Sequence, residues 1–299
     1  MAVKKLRIDV VSLVKTLEIV LKLLVNTQIT SRYRSVYKGK GLEFEDYRVY
    51  MPDDDASRID WKASIKANEL LIKLFKEERN LNVYIILDTS SHMIFGSTEK
   101  LKLEYAAELA ASLAYFILEA NDKVGLIMAN DKIVKMIPPA SGKKQFYIIL
   151  NALTNPEFYG GGKNLSKAID FIMKISKEKG LIIIISDFID FKEEWEKSLK
   201  LAKHKFDIIC AMIRDPRDEY MPEEDVGQFV LQDPLSNNTI LIDPKKIIES
   251  YKNYVSVEES KIKEILTKNN IDFVKFSTAE SFMKNLIELF IRRRKLAWR

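Results

Sequence analysis

The 299-residue chain is 47% hydrophobic, enough to fill the core of one large α/β domain or of two smaller ones. Its 48 basic and 43 acidic residues leave a formal charge of +5 spread along the sequence, so net charge alone supports neither a nucleic-acid nor a membrane partner. The single cysteine, Cys210, excludes an internal disulfide and fits a reducing, cytoplasmic setting. With only His92 and His204 present, thiolate zinc sites are excluded, and so is a Ser/His/Asp hydrolase unless one of those histidines serves.

The first apolar stretch, Ile8 to Val25, is interrupted by Asp9, Lys15, Glu18 and Lys22, which argues against a secretory signal or a bilayer span. Ile8, Val11, Val14, Leu17, Leu21 and Leu24 recur at helical spacing and predict an amphipathic helix docked on the protein's own body, with a partner or membrane surface as the alternative. A charged loop, Arg32 to Lys40, leads to the acidic and aromatic string Glu43 to Trp61. Its alternation of Arg and Asp suits an ion-paired loop network fixed by Tyr47, Tyr50 and Trp61. Arg48, Asp54, Arg58 and Asp60 are its polar candidates for partner contact, and Trp61 its aromatic anchor. Residues 1–81 are read as one region and 82–299 as another.

From Asn82 onward strand and helix patterns alternate. Val83 to Leu87 reads as a strand, and Thr98 to Ala120 as a helix with Leu101, Tyr105, Leu109 and Leu113 on one face. Val124 to Met128 and Ile133 to Ile137 flank a hairpin-like turn at Ala129-Asn130-Asp131, and Lys143 to Leu153 forms a short helix. Gly160-Gly161-Gly162 then breaks the chain before a helix at Leu165 to Lys177. Lys163 beside those glycines suggests a phosphate loop, but the Gly-x-x-x-x-Gly-Lys-Ser/Thr spacing after a strand is absent. The continuous β-branched run Leu181 to Ile185 fits a central strand covered on both faces, and Phe206 to Ile213, with Cys210 as a buried inert thiol, is the next. Asp215 to Asn238 reads as a loop excursion, Thr239 to Ile242 as a short edge strand and Pro244 to Lys268 as a long helix. Ile271 to Phe276 supplies a last strand and Ala279 to Lys295 a closing helix. Together these predict a doubly wound, mostly parallel, Rossmann-like α/β sheet of five or six strands with an N-terminal appendage.

Two of the predicted strands end in oxygen-bearing residues, in Tyr84 to Met93 and in Ile182 to Asp187. Open α/β sheets place their sites at such carboxyl ends, where Asp88, Ser90 and Asp187 have the carboxylate and hydroxyl oxygens that hard cations take. Taken singly, Ser90 also suits a turn cap, and Asp187 a bond to loop amides.

The string from Gly39 to Tyr50 resembles the signature of the domain-of-unknown-function 58 family. The resemblance continues through Asp53-Asp54-Asp55, Arg58-Ile59-Asp60-Trp61, Glu77-Glu78-Arg79-Asn80, the cluster Asp88 to Met93, Phe95-Gly96 and Ser186-Asp187-Phe188. It implies a von Willebrand factor A-like domain whose sheet edge can carry a metal-ion-dependent adhesion site, and an adaptor role beside MoxR-type AAA+ ATPases. Such sites use Asp-x-Ser-x-Ser, a Thr from a later loop and an Asp after the central strand. Asp88, Ser90 and Asp187 match, whereas His92 stands at the second Ser and Lys163 at the Thr. An imidazole is a poor ligand for magnesium, and an ammonium group coordinates no cation. Three occupants follow: the Lys163 ammonium bridging Asp88 and Asp187 without metal, a softer divalent ion on Asp88, His92 and Asp187, or a weak Mg or Mn site. The expected function is a non-enzymatic adaptor that binds a MoxR-type AAA+ ATPase or its client through the sheet edge, Lys163 included, and the signature region. One rival is a metal-dependent hydrolase using Asp88, His92 and Asp187, for which no positioned nucleophile and base is visible. Another is a nucleic-acid or membrane-surface binder using the basic tail Arg292 to Arg299, unaccompanied by any nucleic-acid motif.

Overall fold

The computed structural model describes residues 42–52, 54–77, 81–190, 193–222, 227–232, 238–286 and 288. The predicted helix Ile8 to Val25, the loop Arg32 to Lys40 and the basic tail Arg292 to Arg299 lie outside the described residues, and residues 282–286 of the predicted closing helix are helical.

In chain order the elements are β1 (Leu42–Val49), α1 (Trp61–Ala67), β2 (Leu71–Glu77), β3 (Asn82–Asp88), α2 (Lys102–Glu119), β4 (Lys123–Ala129), β5 (Ile133–Ala140), α3 (Lys143–Leu153) and α4 (Leu165–Ile175). Then come β6 (Gly180–Ser186), α5 (Glu193–Lys203), β7 (Phe206–Arg214), the short α6 (Pro216–Glu219), β8 (Phe229–Gln232), β9 (Thr239–Ile242), α7 (Pro244–Lys268) and β10 (Asp272–Ser277). Six strands form one sheet in the order β10-β7-β6-β3-β4-β5, parallel throughout except for β5, which runs antiparallel to β4. Side chains alternate between the faces, so Ile183 and Ile185 of β6 join a core with Leu109 and Leu113 of α2 and Phe146 of α3. Ile182 and Ile184 join the opposite core with Ile169 of α4, Leu199 of α5 and Leu266 of α7. All of β6 is buried, as its unbroken apolar run requires of a strand covered on both sides. The Cys210 thiol lies in that second core, and burial pushes its pKa up, so it stays protonated and inert.

The chain leaves β3 toward β4 on one side, while β6, β7 and β10 are laid down on the other. The topological switch point therefore falls between the carboxyl ends of β3 and β6, where doubly wound sheets open a crevice.

Three sequence expectations need adjustment. The helix predicted from Thr98 begins at Lys102, because Phe95 O accepts Lys102 N at 2.8 Å and Glu104 Oε2 caps Leu101 N at 3.1 Å. The Glu43 to Trp61 string is a strand at its start rather than a loop. β1 pairs antiparallel with β2, and a bulge between Phe44 and Asp46 breaks the period-2 pattern by which a strand is recognised. The Asp215 to Asn238 excursion contains α6 and β8, and β8 pairs with β9 in a separate two-stranded ribbon. β8 lies within a stretch rich in Pro, Asp and Glu, and that composition reads as loop.

Candidate functional site

Asp88 ends β3 and Asp187 follows β6, so parallel pairing of these adjacent strands places both carboxylates at the switch point, each fully buried. Asp88 Oδ1 accepts Ser90 N at 3.0 Å, and its Oδ2 accepts the Ser186 hydroxyl at 2.6 Å. Phe188 N in turn donates to Ser186 Oγ at 3.0 Å, and Ile189 N to Asp187 Oδ1 at 3.1 Å. These bonds hold a tight turn in which Phe188 and Asp190 adopt φ of 51° and 58°. A buried phenylalanine in the left-handed region is strained, and surrounding contacts must over-determine it. Here they are the two amide bonds and an edge contact of its ring with Trp195, with centroids 6.2 Å apart.

The glycine run delivers Lys163. Gly160 N donates to Thr89 O at 2.7 Å, and Gly161 O accepts Ser91 N at 3.0 Å, docking the loop on the chain after β3. Gly161 has φ of 85°, and a Cβ there would lie 2.8 Å from Asn130 Nδ2, so only glycine fits. The loop sets the Lys163 ammonium in hydrogen-bond contact with Asp187 Oδ1, 3.3 Å from Asp88 Oδ2 and 3.0 Å from Ile189 O, with the Trp195 ring centroid 5.4 Å away.

A second ammonium comes from a residue that sequence reasoning passed over. Lys102, the first residue of α2 and only 1% exposed, reaches Asp187 Oδ2 at 2.9 Å and Asp218 Oδ2 of α6 at 3.0 Å, beneath the Phe95 ring. Asp187 thus lies between two lysines. Burial opposes its negative charge, but Lys163 and Lys102 outweigh that and hold its pKa well below the usual carboxylate range. Burial likewise opposes the Lys102 charge, and Asp187 and Asp218 overcome it, raising the lysine's pKa. Ser186 and Asp218 were also passed over as site residues. Ser186 lies within the Ser-Asp-Phe motif and so carried a signal, whereas Lys102 and Asp218 sit in charged stretches that read as solvated surface.

The geometry does not suit a divalent cation. Lys163 stands against both carboxylates that would hold one, Lys102 occupies the other oxygen of Asp187, and a dication would be repelled by both. His92 sits half-buried in the 3₁₀ turn Ser91–Met93 and forms no hydrogen bond to Asp88 or Asp187. Among the described residues, no group of three or more His, Cys, Asp or Glu side chains is placed to hold a metal ion. The buried hydroxyls of Thr89 and Ser90 lack a hydrogen-bond partner among the described residues, and two neutral hydroxyls alone do not make a metal centre.

Beside this network Asp215 ties three segments together. It accepts Ser97 Oγ at 2.5 Å and Ser97 N at 2.8 Å, Arg217 N at 2.9 Å and Thr278 Oγ1 at 3.1 Å. Burial opposes its charge, and these donors, Ser97 foremost, hold its pKa low.

The polar candidates in the signature region are engaged internally. Arg48 pairs with Asp54 at 2.7 Å, and Asp60 caps α1 through Lys62 N and Ala63 N while accepting Tyr47 OH at 3.1 Å and facing Lys73 at 2.9 Å. Lys73, with the Ala63 amide, lowers the Asp60 pKa to about 2. The Arg58 side chain lies outside the described set. Trp61 and Ile65, one turn apart on α1, are 63% and 80% exposed. No helix among the described residues is long and apolar enough to cross a membrane.

Uncharacterized protein Rv1480 of Mycobacterium tuberculosis is 26% identical to this chain over 234 residues, covering 77% of this chain and 73% of that protein. Among solved structures, the conserved hypothetical protein BatB from Bacteroides thetaiotaomicron aligns with a TM-score of 0.48 at 19% identity, over 72% of this chain and 98% of that one. The SpRpn10 VWA domain aligns with a TM-score of 0.40 at 13% identity, over 70% and 94%. The model of the family described as "Protein of unknown function DUF58" matches residues 46–261, well over half of the sequence, and the chain belongs to that family.

Proposed function

We propose that this protein is a non-catalytic, cytoplasmic adaptor that binds a protein partner, a MoxR-type AAA+ ATPase or its client, without a divalent cation. The observation that carries the reading is the Lys163 ammonium set against Asp88 and Asp187 at the switch point, where an adhesion-type site would put its metal. The carboxylates there are spent on lysines and amides, and no histidine is aligned with them as a base, which supports binding rather than turnover.

Calorimetry with Mg, Mn and Zn tests the metal-free claim. Wild type is expected to give no saturable heat, and Lys163→Thr is expected to stay silent as well, because Lys102 still occupies Asp187. Titration of a purified MoxR-type ATPase should yield the same affinity with and without EDTA. Loss of binding in EDTA would overturn the reading, as would a stoichiometric metal isotherm in the wild type.

Trp61 is the contact expected to matter most in the signature region. Trp61→Ala should leave the melting temperature nearly unchanged, since the ring is mostly exposed, and should weaken the ATPase by about thirtyfold, the scale of a ~2 kcal/mol interface anchor. Unchanged affinity in a binding titration would remove α1 from the interface.

A further inference from the structure

β7 ends on Arg214, level with Ser277 of β10, at the same edge of the sheet as Asp187. By strand alternation Arg214 follows Cys210 and Met212 onto the face that α7 covers, opposite Ile213. The residue is 5% exposed, yet its Nε has no hydrogen-bond partner, and no ion pair to its guanidinium occurs among the described residues.

The neighbouring charges are already matched. Lys102 has Asp187 and Asp218, Lys163 has Asp187 and Asp88, and Lys275 has Glu219 and Glu259, each at 2.8 Å. Asp215 is saturated by Ser97, Arg217 N and Thr278, while Asp218 also accepts Asp215 N at 3.0 Å. The Tyr251 hydroxyl of α7 donates to Arg217 O at 3.0 Å and to Asp218 O at 3.1 Å, and it feels the charges of Asp218, Arg214, Lys102 and Glu219. Arg214 therefore sits beside a polar shell whose carboxylates are committed to other cations or to amides, although Glu219 Oε1, ion-paired with Lys275, also lacks an aligned hydrogen bond. A native protein keeps a largely buried, unpaired cation at a cost, and such groups call for an explanation.

We propose that Arg214 is a receptor for a carboxylate carried by the partner, an Asp or Glu side chain or a C-terminus. The planar guanidinium matches a carboxylate in two parallel hydrogen bonds. Asp218 and Glu219 nearby repel a dianion more than a monoanion, which favours carboxylate over phosphate. The inference rests on the adaptor reading only for what carries the carboxylate.

The test follows the Arg Nε–Hε resonances of the full chain by NMR while acetate replaces chloride at constant ionic strength, with phosphate as a second titrant. Arg214→Gln identifies the resonance. The expected result is a saturable acetate shift of the Arg214 signal, weaker with phosphate, and a variant that melts at or above the wild-type temperature because no ion pair among the described residues is lost. Absence of a saturable shift overturns the proposal, and so does tighter binding of phosphate. A marked fall in the melting temperature of Arg214→Gln, or its failure to fold, also overturns it by revealing an internal structural role. Since no protein partner enters this titration, its failure leaves the adaptor reading to be judged by the EDTA comparison.

Discussion

Replacing Lys102 by Met should destabilise the protein by about 3–5 kcal/mol, the cost of leaving a buried ionic partner uncompensated. Methionine keeps much of the volume and the unbranched stem, so the loss isolates the charge. It leaves Asp187, fully buried, with Lys163 alone, and removes the ammonium from Asp218. Urea unfolding at pH 7 measures the effect, with Lys200→Met as control, since Lys200 makes only an exposed i,i+4 pair with Glu196 worth about 0.5 kcal/mol or less. The pH dependence has a definite sign. The folded-state pKa of Asp187 is depressed, so its stabilising contribution is complete above the unfolded carboxylate value, about 3.9, and is lost as pH falls toward the folded value. The gap between wild type and Lys102→Met should therefore be full at neutral pH and narrow below about pH 4. A loss under about 1 kcal/mol at pH 7 would show that the network relaxes around the missing charge.

Gly180→Ala should be similarly damaging for a purely steric reason. Gly180 opens β6 opposite Asn82 of β3, and a Cβ there would lie 2.3 Å from the Asn82 carbonyl oxygen. Neither strand can retreat, because both lie at the centre of the sheet with helices on each face. The expected outcome is a loss of about 3 kcal/mol or more, with the β3–β6 register disturbed and the pairing of Asp88 with Lys163 weakened along with it. Thermal denaturation and soluble yield report the first effect. A variant that melts within a few degrees of wild type would mean that the strand end moves more freely than its packing indicates.

The two effects differ in how far they could be read from residue order. The turn-like residues before Leu181 and the unbroken isoleucine run after it mark the start of a central strand, so a strand boundary near Gly180 was legible. Its closeness to Asn82, 98 positions earlier, depends on which strand becomes the neighbour, and local pattern does not carry that. At the site, Asp88, Ser90, Asp187 and Lys163 were legible because strand ends and a glycine break announce themselves locally. In the signature region the pairing of β1 with β2 was not, because the bulge shifts the alternation.

Residue order by itself determined the alternating α/β class, the nearly continuous apolar strands and the two acidic strand ends, since these follow from side-chain periodicity and chain breaks over a few residues. Only the tertiary structure decided that Lys102 and Asp218 join Asp187, that His92 stands apart from it and that the Arg214 Nε finds no partner among the described residues. Burial and charge pairing depend on segments tens of residues apart meeting at one end of the sheet. A lysine followed by leucine and glutamate looks the same in sequence whether its ammonium faces water or two buried carboxylates.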